Sequence, residues 1–154
     1  MVYHIPMNQN DQLIKRTCFQ KIQHGVECVF IKINKNEGIK IYPEKRDAKF
    51  AIERQKQAYK YGIAPKVLSK IEKCFFDMYS YLDEETTHCY FYKTQVAGKV
   101  GNRTIKNRQE MNEIKSIFKK LKWCDGDFHS GNLGKINGKM VVIDFGREST
   151  KKYI

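Results

Sequence analysis

No two cysteines in this chain stand close enough to share a CxxC pair. The five, at Cys18, Cys28, Cys74, Cys89 and Cys124, are odd in number, and the four histidines are scattered. That spacing argues against a zinc site and for a reducing cytosol. A signal peptide is also missing, as is any apolar run long enough to span a bilayer, so the expected compartment is cytoplasmic. Any export would need a route that leaves no such mark. There is no glycine- or serine-rich linker and no repeat. With 41% hydrophobic residues, residues 1–154 read as one domain able to bury a core. Acid is scarce: 17 acidic residues face 29 basic ones, for a net charge of +12. Such a field attracts nucleotides, nucleic acid, acidic proteins or an anionic membrane without choosing among them, and a plain solubilising surface explains it equally well. The nine tyrosines and nine phenylalanines fall mostly at core periodicity and do not form a base-stacking platform.

What the chain does have is a dense run from Asp125 to Gly146, DGDFHSGNLGKINGKMVVIDFG. Asp127 and Asn132 stand five residues apart, a hairpin signal follows at Asn137-Gly138, and Asp144 opens an Asp-Phe-Gly triplet after an apolar strand. An Asp-Phe-Gly triplet alone is weak, and clusters of Asp, Asn and Gly are ordinary turn chemistry. A purely structural reading explains the hairpin and leaves Asp127, His129, Gly131 and Asn132 unexplained. Phosphoryl transfer uses this combination. It needs positioning and charge neutralisation more than covalent help, and hard Mg²⁺ takes oxygen ligands while keeping several waters. Asp127 is then the candidate base, and Asn132 and Asp144 the candidate metal ligands.

DGDFHSGN followed by VVIDFG resembles the catalytic segment of the protein-kinase-like superfamily, and His129 with Gly131 is closer to its aminoglycoside phosphotransferase and atypical-kinase versions. Two positions depart from the common pattern. Asp125 stands where a His is usual, and Gly126 replaces the Arg that reads activation-loop phosphate, so the resemblance implies no activation by loop phosphorylation. The chain stops eight residues after Gly146. It thus resembles compact effector kinases of the OspG type and kinase-like proteins of phage genomes. That likeness implies a minimal domain without activation segment or C-terminal helices, working in a host cytoplasm if the chain is an effector or phage protein.

The same resemblance implies an α+β fold: an N-lobe antiparallel sheet with one helix over about residues 1–96, and an abbreviated C-lobe over about 97–154. CFQKIQHG, VECVFIKI and IKIYP read as three strands, the last two joined by the polar turn from Asn34 to Gly38. Lys40, between Ile39 and Ile41, points away from both. It is the candidate holder of the α- and β-phosphates, with Lys32 as the rival. The stretch from Lys45 to Tyr61 reads as an amphipathic helix stopped by Gly62, and Glu53 is its candidate partner for Lys40. The alternative is a surface Glu making local helix pairs. Gly25 is the only glycine of the expected nucleotide loop, since Cys28 occupies a place where many kinases carry another. CYFYKTQVAGK reads as a strand running into a hinge, with the backbone of Gln95, Val96 and Ala97 expected to meet adenine. Met111, Ile114, Ile117, Phe118 and Leu121 mark one buried face of a helix over 107–122.

Taken together, the expectation is an ATP- and Mg²⁺-dependent phosphotransferase acting on a protein Ser or Thr, with a protein substrate or an activating partner protein. The alternative is a kinase-shaped binding module with weak or no catalysis. A basic nucleic-acid-binding protein with an incidental motif ranks last.

Overall fold

The structure, a computed structural model, describes residues 22–24, 28–76, 87–101, 104–123 and 132–145. It is an α+β arrangement in the order β1 (Ile22–His24), β2 (Val29–Lys32), β3 (Glu37–Tyr42), α1 (Lys45–Lys60), β4 (Glu72–Phe76), β5 (Thr87–Gln95), α2 (Ile105–Lys120), β6 (Leu133–Ile136) and β7 (Lys139–Val142). The first five strands form one antiparallel sheet in the order β1-β2-β3-β5-β4, and β6 and β7 form a separate hairpin. Among the described residues, no helix is long and apolar enough to cross a membrane. The chain divides into two compact units, Met1–Lys49 with Val67–Gln95, and Phe50–Lys66 with Val96–Ile154.

In the first unit, one face of the sheet carries a buried cluster of Val29, Ile31, Ile39, Ile41, Cys74, Cys89 and Phe91. Each isoleucine or phenylalanine buried there contributes roughly 1.5–3 kcal/mol relative to exposure. The opposite face is closed too: Lys40, Tyr42, Tyr92 and Thr94 are all buried, so the central strands β3 and β5 have no solvated side. The β2–β3 connection differs from expectation. Asn34 builds the turn, its Oδ1 accepting from the backbone N–H of Asn36 and Glu37 at 2.8 and 2.9 Å. Gly38 lies within β3 opposite Lys32. It is required there because a Cβ at 38 would come within 2.5 Å of the Phe30 ring.

Helix α1 buries Ala48, Ala51, Ile52, Gln55 and Ala58, the i, i+3, i+4, i+7 stripe of an amphipathic helix. Gly62 ends it at φ +75, with Ile63 N–H returning to Ala58 C=O at 3.2 Å and Gly62 N–H to Tyr59 C=O at 2.9 Å. This is a Schellman motif. Helix α2 starts at Thr104, whose hydroxyl accepts from Asn107 N–H at 3.0 Å. It ends in the same motif: Trp123 N–H reaches Phe118 C=O at 2.9 Å and Lys122 N–H reaches Lys119 C=O at 3.1 Å. Here the left-handed position, φ 60, is held by Lys122. The second unit's core gathers Ala58, Ile63, Ala64, Ile114, Phe118, Trp123, Leu133, Met140, Val142 and Phe145.

Candidate functional site

The hairpin β6–β7 is the scaffold of the site. Asn137 and Gly138 form its two-residue loop at φ 52 and φ 77, the left-handed pair of a type I′ turn. That turn sets the register, Leu133 opposite Val142 and Ile136 opposite Lys139. One step past the register, Ile143 N–H donates to Asn132 C=O at 2.8 Å. Asn132 and Asp144 therefore lie at the open end of one hairpin, both half-buried. Phe145, directly after Asp144, is fully buried in the second unit's core and fixes the chain as it leaves β7.

A two-stranded hairpin alone is marginal in water, and each strand has a second edge to satisfy. Here both edges are covered. On the β6 side, Gly98 and Lys135 exchange two backbone hydrogen bonds of 2.8 and 2.9 Å. Gly134 has no room for a side chain there, because a Cβ would fall 2.6 Å from the Ala97 Cβ and 3.0 Å from the Gly98 oxygen. On the β7 side, Val142 N–H donates to Ile63 C=O at 2.8 Å, and Met140 N–H donates to the buried Glu110 carboxylate on α2. Lys106, one turn back on α2, lies 3.8 Å from the other oxygen of Glu110. The hairpin that carries Asn132 and Asp144 is thus held from α2 and from the segment after β5 near its turn, and from the turn after α1 near its open end.

In the first unit, Lys40 sits at the centre of the sheet between Phe30 of β2 and Tyr92 of β5. It is only 5% exposed. Its ammonium lies 6.0 Å from the Tyr92 ring centroid, and Tyr92 is stacked with Tyr42 at 6.2 Å. Lysine is almost never buried without an interaction that keeps its charge. Lys32, the rival, is half-buried as the last residue of β2. Gln95 ends β5 and is half-buried, as are Val96 and Ala97 after it, while Thr94 is buried and bridges to Val67. The break between the two units falls between Gln95 and Val96.

Glu53 stands on the exposed face of α1. The next residue, Arg54, stacks its guanidinium carbon 4.7 Å from the Phe50 ring centroid and 5.0 Å from that of Trp123. Burial lowers the Arg54 pKa from its usual value, and the Glu53 charge beside it opposes that shift. Trp123 in turn meets Phe118 edge-on at 5.2 Å. Asp127, His129, Gly131 and Gly25 lie outside the described residues.

Sequence reasoning missed three residues here: Gln55, whose Nε2 donates to Pro65 C=O at 3.0 Å, Glu110 and Arg54. The first two carried a usable signal, a polar side chain at a core position of an amphipathic stripe.

Asn132 and Asp144 supply an amide oxygen and a carboxylate, the hard donor set that suits Mg²⁺. Among the described residues, no group of three or more His, Cys, Asp or Glu could hold a metal ion. Neither the protein-family models nor the curated proteins searched include a match to this chain.

Proposed function

We propose that this chain is an ATP- and Mg²⁺-dependent phosphotransferase with a protein-kinase-like fold, acting on a Ser or Thr hydroxyl of a protein. The observation that carries the reading is the hairpin end. A type I′ turn sets the register and the Ile143–Asn132 bond extends it, so Asn132 and Asp144 stand at the same end of one hairpin whose edges are covered, after the segment that contains Asp127. Further support is the buried Lys40 on the third strand of the sheet, followed by a helix, a fourth strand and a fifth strand running to Gln95.

In this reading Lys40 holds the phosphates of ATP, its stem fixed by Phe30 and Tyr92. Asp127 orients the acceptor hydroxyl and takes its proton as the acceptor oxygen bonds to the γ-phosphorus of ATP and the bond from that phosphorus to the bridging oxygen breaks, releasing ADP. Asn132 and Asp144 would hold Mg²⁺, whose contribution is to neutralise charge on the phosphates. The backbone of Gln95, Val96 and Ala97 meets the adenine.

The test is phosphate transfer from Mg-ATP to the chain itself and to a generic protein acceptor, read by intact mass, beside Asp144→Ala with its thermal melt. Transfer by the parent and a loss on the order of 100-fold or more in the folded variant is the expected result. Undiminished transfer in Asp144→Ala overturns the ligand assignment, and no transfer by the parent overturns the enzymatic reading.

A further inference from the structure

Among the described residues, the five-stranded sheet ends at β4, whose one strand partner there is β5. Across that seam Cys74 and Cys89 are direct register partners. Their neighbours in the register, Phe75 and His88, have ring centroids 3.9 Å apart, so the pairing holds for side chains as well as for backbone. Both cysteines are 0% exposed, on the face shared with Ile31, Ile41 and Phe91. Directly opposite residues of an antiparallel pair have Cα atoms about 4.5 or 5.5 Å apart, depending on their hydrogen-bonding phase. Both values fall inside the roughly 4.4–6.8 Å that a disulfide accepts. The proposed phosphoryl transfer uses neither thiol, and the inference does not rest on that activity.

We propose that Cys74 and Cys89 are an oxidation site, at which a small disulfide such as glutathione disulfide converts the two thiols into a cross-strand bond. One cysteine, as thiolate, attacks a sulfur of glutathione disulfide and releases one glutathione thiolate, which takes up a proton. The second cysteine loses its proton and displaces the remaining glutathione from the mixed disulfide. The protein loses two hydrogens, and two glutathione thiols form. Burial slows the first attack. Because β4 is the edge strand among the described residues, opening of the β4–β5 pairing gives the thiols a path to solvent without unfolding the rest of the sheet. Cys28, half-buried before β2, is a register partner of neither and serves as the internal control. The new bond would pin the edge strand to the strand that leads to Gln95.

The experiment incubates the full chain under native conditions with glutathione disulfide, then alkylates and maps peptides without reduction. The expected result is a linked Cys74–Cys89 peptide and a melting temperature raised by roughly 5–10 °C, restored by dithiothreitol. Cys89→Ser should keep a glutathione adduct on Cys74 or stay unmodified, with no rise. Both positions fully alkylated after prolonged oxidation would overturn the proposal. So would a stable adduct on either in the parent, bonds to other cysteines instead, or linkage that forms only in denaturant.

Discussion

Replacing Arg54 tests how the second unit is held together. Its guanidinium lies between two aromatic rings, 4.7 Å from Phe50 and 5.0 Å from Trp123. A single cation–π contact contributes about 0.5–1 kcal/mol when exposed and about 2 when desolvated. Arg54 is half-buried, and the desolvation that lowers its pKa is a cost of the charged form that the Glu53 carboxylate only partly offsets. The two contacts together should therefore be worth about 1–2 kcal/mol net, and Arg54→Ala should lower the melting temperature by roughly 2–8 °C. Trp123 is the chain's one tryptophan, so the emission reports on the surroundings of that ring, of which Arg54 is a part. A urea melt followed by that emission should show a lower midpoint with unchanged slope, and a native spectrum shifted toward that of a more solvated indole. Arg54→Met keeps the stem and removes the charge. If Met matches the parent in both midpoint and spectrum, the cation contributes nothing and the reasoning fails.

Two further substitutions probe the elements around the site. Lys122 holds the left-handed position that ends α2, φ 60, a conformation costing an L-residue roughly 1–2 kcal/mol, so Lys122→Gly should stabilise the chain by about 0.5–1 kcal/mol. A lower melting temperature in that variant would show that the lysine side chain outweighs its backbone strain. Glu110→Ala leaves the Met140 N–H buried without its carboxylate and should cost about 1–3 kcal/mol, with Glu110→Gln costing less because the amide oxygen still accepts. Equal effects of the two, by denaturant melt, would mean that the hydrogen bond to the hairpin is not what Glu110 provides.

Much of this architecture could be read from residue order. The Asn137-Gly138 pair specified the β6–β7 turn, the apolar spacing from Met111 to Leu121 specified the inward face of α2, and Gly62 marked the end of α1. Those signals are local, each set by a backbone angle or a helical repeat within a few residues. Gly38 misled because glycine after a polar run usually means a turn, whereas here it makes room for the Phe30 ring two strand positions away across the sheet. Arg54 on Trp123, Glu110 on Met140 and Cys74 opposite Cys89 were illegible for one reason: each joins residues whose separation along the chain has no periodic meaning until the elements dock. The motif residues Asn132 and Asp144 were legible as types. Their juxtaposition became a geometric statement only with the hairpin register.

The tight fit at Gly134 has a consequence for how this sequence can drift. With 2.6 Å between a would-be Cβ and the Ala97 Cβ, any larger residue at 134 must be matched by a shift at 97 and at the paired Gly98. In diverging relatives, positions 97 and 134 should therefore be inherited as a pair. Drift in the stretch after β5 is restrained by a glycine more than thirty residues downstream.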